Sequence, residues 1–299
     1  MEKSKYYFAA FSAFFIWGFF SFGLKPLHEY PSLDILFYRV FLSVILMSFI
    51  NFFFRKKILI QNWNHFKNST IQHKKSIAFL TLGGGLLLSS NWFVFIYVMN
   101  HVSVKAASLA YLICPILTTV FAYFLLKEKL NNWQWLAVGI SFFGCSLLSL
   151  NHFEDIFYSL IVAITYALYL VSQRKNNEID KFLLLNIQLL LTALLILPFY
   201  PSYSGNLPVE FNFYFYITII VVIFTIIPLF LNLYALKGIN SSAVGIMIYI
   251  NPLINFVLAI LYYKEVVSSL QIASYFLILI AIFVFNFKVL LPSKKPELV

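Results

Sequence analysis

The stretch PILTTVFAYFLLKEKLNNWQ, residues 115–134, returns 137 positions later as PLINFVLAILYYKEVVSSLQ, residues 252–271. Pro115, Lys127-Glu128 and Gln134 fall on Pro252, Lys264-Glu265 and Gln271 with every internal spacing kept. The same register pairs Tyr97 with Tyr234, Ala106 with Ala243, Ile113 with Ile250, Val120 with Val257 and Ala122 with Ala259, nine identities over about 38 positions. Shared hydrophobicity alone is a poor explanation for that density. The period is roughly half of the 299 residues, too long for a solenoid, and marks a duplicated half.

Outward from the repeat, the chain is 62% hydrophobic and only 11% charged, far from a soluble composition. Apolar runs of about 20 residues, each able to cross a core of about 30 Å, recur throughout. They predict ten transmembrane helices near 6–24, 33–54, 77–99, 104–126, 132–150, 153–173, 181–200, 212–236, 241–262 and 268–290. The runs are continuous rather than alternating, which excludes a β-barrel. The fold class is therefore an all-α polytopic membrane protein. The first run follows Lys3 and Lys5 as a signal peptide would, but its length and interior Trp17-Gly18 favour a retained helix. Cys114 and Cys145 both lie inside spans without CxxC spacing, so neither a disulfide framework nor a zinc site is expected.

The net charge of +10 is distributed by side, not in a nucleic-acid patch. With the N-terminus inside, alternate loops hold 17 of the 21 basic residues, and only Lys25, Arg39, Lys105 and Lys264 are left for the other side. That bias places both termini in the cytoplasm. The basic loop with Arg55, Lys56, Lys57, Lys67, Lys74 and Lys75 reads as a topological signal. No nucleic-acid partner is expected; the lipid bilayer is. Five spans per half is an odd number, so the Glu128 hairpin faces the cytoplasm and the Glu265 hairpin faces outward. The expected organisation is two inverted five-helix repeats, residues 1–150 and 151–299. A weaker match at an offset of 149 sets Trp17-Gly18 on Tyr166-Ala167 and Arg39 on Gln188.

No acidic residue lies at the centre of a span, and the histidines at 28, 65, 73, 101 and 152 fall in loops or at span ends. A midplane proton relay is not supported. Arg39 is the exception, about six residues and roughly 9 Å into the second span. It either binds a carboxylate or phosphate of a substrate through its fork of donors, or snorkels and pairs with Asp34. Pro115 and Pro252 each remove a backbone donor and bend their helices, as hinges beside a cavity or as static kinks. Around them gather Trp17, Asn91, Trp92, Tyr97, Asn100, Ser108, Tyr111, Tyr166, Asn232, Tyr234, Tyr249, Asn251 and Asn255, either wet lining or interhelical bonds. Glu128 and Glu265 are expected to cap the helix that follows each of them. Gly83, Gly84, Gly85 and Gly245 read as close-packing positions.

Asn91-Trp92, Phe95-Ile96, Asn100-His101, Ser108-Leu109, Tyr111, Pro115, Glu128 and Gln134-Trp135 together resemble the EamA domain of the drug/metabolite transporter superfamily. With Pro31-Ser32-Leu33-Asp34-Ile35 and Arg39 the resemblance is to its RarD-type branch. Pro228-Leu229, Gly245, Tyr249-Ile250, Pro252 and Glu265 fit the same family in the second half. The resemblance implies a central cavity lined by helices 1, 3, 4, 6, 8 and 9, and transport of a small metabolite, amino acid or drug across the bacterial cytoplasmic membrane, often as export. It names no substrate. The substrate site is expected at Trp17, Arg39, Asn91, Trp92, Tyr97, Asn100, Tyr111, Tyr166, Asn232, Tyr234, Tyr249 and Asn251. No cofactor and no metal are expected. A nucleotide-driven pump is disfavoured by the lack of a Walker motif. An intramembrane enzyme would want a serine–histidine pair, HExxH or paired aspartates in adjacent spans, and none occurs. A structural or receptor-like protein would not need matched prolines.

Overall fold

A computed structural model describes residues 3–102, 104–149, 153–205, 207–262, 264 and 267–290. Among them all regular structure is helical. The helices are α1 (Ser4–Gly18), α2 (Phe20–Leu24), α3 (Ser32–Phe49), α4 (Lys56–Asn68), α5 (Ile71–His101), α6 (Val104–Leu126), α7 (Asn132–Ser149) and α8 (Phe153–Lys175). Then follow α9 (Lys181–Ile196), α10 (Tyr200–Tyr203), α11 (Phe211–Ile219), α12 (Ile227–Gly238), α13 (Ser241–Met247), α14 (Ile250–Leu261) and α15 (Ser269–Leu290).

Among the described residues eight segments are long and apolar enough to cross a membrane, and the pair formed by α1 and Phe20–Leu27, bent by 43°, makes a ninth if it is one span. The tenth expected span is α7. Its 18 residues open on Asn132 and Gln134, which dilute its apolarity, yet it packs along α15. The segment expected as a plain basic loop contains α4, whose inward positions Ile58, Leu59, Asn62 and Phe66 recur at helical spacing while Ile60 and Trp63 stay exposed.

Two of the spans are interrupted where proline predicts trouble. Span 9 breaks at Ile248–Tyr249, between α13 and α14; with no N–H on Pro252, the Ile248 carbonyl instead accepts from the Asn251 N–H at 3.1 Å. Span 8 carries a π-helical turn, Ile220–Ile226, just before Pro228. By contrast α6 runs unbroken through Pro115.

Packing joins α6 to α8, α5 to α8, α1 to α12 and α14, α3 to α9, α6 to α13 and α7 to α15. Exchanging the first five spans for the last five maps these pairs onto one another. Glycines allow close approach at several crossings, two of which bear on the packing of the halves. A Cβ on Gly245 would stand 2.8 Å from Thr118 Cγ2, and one on Gly84 2.2 Å from Gln173 Nε2. Gly84 thereby admits a buried polar network in which Gln188 donates to Gln173 Oε1 at 3.0 Å and accepts from the Tyr169 hydroxyl at 3.3 Å. Gly83, expected to pack, meets nothing within 4 Å.

Candidate functional site

A cleft of about 670 Å³ runs into the helical bundle, within the usual range for a small-molecule site. Its mouth is formed by exposed Lys25 and His28 with Tyr30 and Ser32, and its depth by buried Phe14, Tyr166 and Ile248. The loops around the mouth are pinned. Tyr30 donates to the Glu210 carboxylate, a bond that pushes its phenol pKa up to about 12 and keeps it a donor. Asp34, only 2% exposed, accepts the Gly205 N–H at 3.0 Å.

Asp34 is thereby committed away from Arg39, which removes the expected Asp34–Arg39 pair. Among the described residues no carboxylate lies within 4.0 Å of the Arg39 guanidinium. The group lies over the Trp92 ring, 4.3 Å from its centroid, and its Nε is sealed from solvent without a hydrogen-bond partner. The first turn of α3 places Asp34 and the next turn places Arg39, on different errands. Cation–π stacking contributes up to about 2 kcal/mol when desolvated but leaves the charge uncompensated.

Trp17, Asn91, Trp92, Tyr111, Tyr166, Asn251 and Pro252 join Arg39 on the cleft wall. Two of them also do structural duty. In an α-helix the Phe224 carbonyl would be met by the N–H at position 228, which is proline; Trp17 Nε1 donates to it instead, at 2.8 Å. Asn91 Nδ2 donates to Val162 O at 2.9 Å and Thr165 Oγ1 at 3.1 Å, which orients its amide and leaves Oδ1 buried without a partner.

Four expected site residues are elsewhere. Tyr97 is 47% exposed and stacks on His101, because its side of α5 turns away from the bundle. Tyr234 packs on Tyr6 at 5.1 Å between ring centroids. Tyr249 is wholly buried behind the helix break, and Asn232 sits one shell back, donating to the Tyr166 hydroxyl at 3.0 Å. Pro115 is also off the wall, and the side chain of Asn100 lies outside the described residues. Missed were Phe20, Phe224, Thr225 and Tyr275. Span 10 joins the expected six helices through Tyr275, and span 2 does so through Ile35, Leu36 and Arg39. Phe224 and Thr225 carried a usable signal, since both precede Pro228 by one turn.

At the other end of the bundle the repeated motif ties helices of the two sequence halves together. Glu128 was expected to cap α7, but that helix has its own capping box: Asn131 Oδ1 accepts from Gln134 N at 3.1 Å and Gln134 Oε1 from Asn131 N at 3.0 Å. Glu128 instead reaches the N-terminus of α13, accepting from Ser241 N at 2.7 Å and from the Ser242 N–H and hydroxyl. Across the same turn Arg174 donates to the final carbonyls of α12, Leu236 O at 2.7 Å and Lys237 O at 3.1 Å. Ser268 and Gln271 form the matching box before α15, at 3.2 and 2.8 Å. Lys127 and Lys264 both adopt left-handed φ, 54° and 58°, so the repeated lysine marks the same helix-ending turn. Glu265 lies outside the described residues.

Comparison with known proteins agrees on a family. The model of the EamA-like transporter family matches residues 4–150 and 155–287. Among similar proteins are the uncharacterized transporter YojE of Bacillus subtilis, 30% identical over 92% of this chain and 91% of its own, and protein RarD of Escherichia coli, 29% identical over 92% of each. An uncharacterized transporter of Pseudomonas aeruginosa is 25% identical over 92% of this chain and 91% of its own. One solved crystal structure superposes with a TM-score of 0.75 at 14% identity, covering 95% of this chain and 97% of that one, a likeness of fold.

Proposed function

Because the chain belongs to the EamA-like transporter family, we propose that its cleft binds a small organic anion and carries it across the membrane by alternating access. The chain is a multi-pass membrane transporter of the drug/metabolite superfamily and not an enzyme. The substrate class is our reading, and Arg39 carries it. A guanidinium inside a bilayer costs several kcal/mol unless it is paired, and here Asp34, one turn earlier on the same helix, is engaged by a backbone amide. A carboxylate or phosphate entering the cleft meets a fork of donors held over the Trp92 ring. Trp17, Phe20, Tyr111 and Phe224 around it favour an apolar or aromatic body.

The transport cycle in this reading uses two halves, residues 1–150 and 151–299, related as inverted repeats; the exchange symmetry of helix contacts and the two family matches support it. The break in span 9 at Pro252 and the proline within α6 serve as paired hinges. The loop-charge bias supports an orientation with both termini and the Glu128 end on the cytoplasmic side of a bacterial inner membrane and the cleft mouth facing outward. Net export is the direction proposed.

A thermal-shift panel in detergent tests the substrate class. Small carboxylates and phosphates with apolar bodies should raise the Tm of the wild type and not of Arg39→Gln. Equal stabilisation of both proteins by neutral or cationic compounds alone would reject it.

A further inference from the structure

We propose that His65, His73 and Glu178 form a divalent transition-metal site that staples two surface loops together at the end of the protein opposite the cleft mouth. The three residues come from three segments: the last turn of α4, the first turn of α5, and the turn joining α8 to α9. Their ligand atoms all lie within 4.8 Å of one another. Glu178 Oε2 is the shared focus, 3.2 Å from His65 Nε2 and in direct contact with His73 Nε2. All three side chains are partly open to solvent, which leaves an ion room to enter and to keep a water.

The surroundings hold this arrangement in place by bonds that need no metal. Arg55 makes a two-pronged pair with Asp180, at 2.9 and 3.1 Å. The same Asp180 caps α9 through the Phe182 and Leu183 amides and donates its own N–H to Asn62 Oδ1 at 2.9 Å. Thr70 Oγ1 accepts from His73 N and caps α5. Thus α4 and the 176–180 turn are clasped before any ion arrives, and a ligand set on a clasped frame loses little entropy on binding.

Two imidazole nitrogens and one carboxylate oxygen select the ion class. Calcium and magnesium prefer all-oxygen sites, whereas this set suits Zn²⁺, Co²⁺ or Ni²⁺ with water completing the coordination. A metal there joins the loop between spans 2 and 3 to the loop between spans 6 and 7. It would stiffen that end of the bundle independently of what the cleft binds.

The test uses full-length protein purified in detergent without a polyhistidine tag, stripped with chelator and titrated with Co²⁺ and Zn²⁺. One equivalent should bind, with the visible absorption of low-coordinate Co²⁺, and Zn²⁺ should raise Tm. Glu178→Gln and His73→Ala should weaken binding by at least the roughly 10- to 100-fold seen on losing a ligand's hydrogen-bond partner, while His101→Ala binds as the wild type does. Gel filtration confirms that each variant is folded; Glu178→Gln keeps the side-chain shape if His73→Ala does not fold. No stoichiometric metal in the wild type, or equal affinity in Glu178→Gln, overturns the proposal.

Discussion

Arg39 and Gln188 align at an offset of 149 positions, yet they meet different surroundings. Gln188 is fully buried and satisfied within the network under Gly84, whereas Arg39 faces the cleft with its Nε unpaired. An arginine in a span could be flagged from sequence by its cost alone. Its freedom from Asp34 could not, because that depends on Gly205, 171 residues away. Arg39→Lys should keep the charge but lose the planar stack on Trp92 and the two-pronged geometry, so transport falls at least about tenfold at equal expression, and Arg39→Gln falls further. Wild-type rates for Arg39→Lys would return the residue to a snorkelling role. Trp17 shows a different limit: its place in the site was legible, its bond to Phe224 O was not. Trp17→Phe should strand that carbonyl and lower stability on the order of 1 kcal/mol, read as a fall in Tm of the detergent-solubilised protein. An unchanged Tm would mean that another donor meets Phe224.

At the scale of elements, the repeated motif was readable as a duplication, but its internal roles were assigned in the wrong order. The glutamine is the local cap in both copies, and Glu128 caps a helix 113 residues onward. A capping box is a short-range pattern and can be seen in one dimension; a cap lent by another helix cannot. α4 is hidden for a related reason: its lysines fit a basic loop as well as the exposed face of a helix. The left-handed lysines yield a stability prediction. Lys127→Gly removes the strain of a side chain at positive φ and should stabilise by up to about 1 kcal/mol, while Lys127→Val should destabilise by a similar amount or more. Thermal melts of the pair should straddle the wild type. The same direction for both variants would contradict that account of the turn.

Across the whole molecule, a polytopic bundle of long apolar helices followed from hydrophobicity, and the break in span 9 from Pro252, whereas Pro115 leaves α6 unbroken. Which faces meet, and therefore which end is open, depends on side chains that reach between halves. Glu128 is such a contact. Glu128→Gln replaces a charge-assisted cap worth about 1–2 kcal/mol, enough to shift an open–shut balance roughly 5- to 30-fold. A cysteine at Ser108, on the cleft wall, should then react faster with an impermeant thiol reagent applied from the Glu128 end, against a background where native Cys114 and Cys145 are buried. Unchanged labelling would mean that Glu128 does not hold that end closed. The central claim is that an organic anion crosses by way of Arg39, and counterflow in proteoliposomes tests it most directly. Vesicles preloaded with one unlabelled anion should accumulate the labelled compound transiently when they contain wild-type protein and should fail to do so with Arg39→Gln. Counterflow of cationic or neutral solutes only, or undiminished anion counterflow in Arg39→Gln, would contradict it.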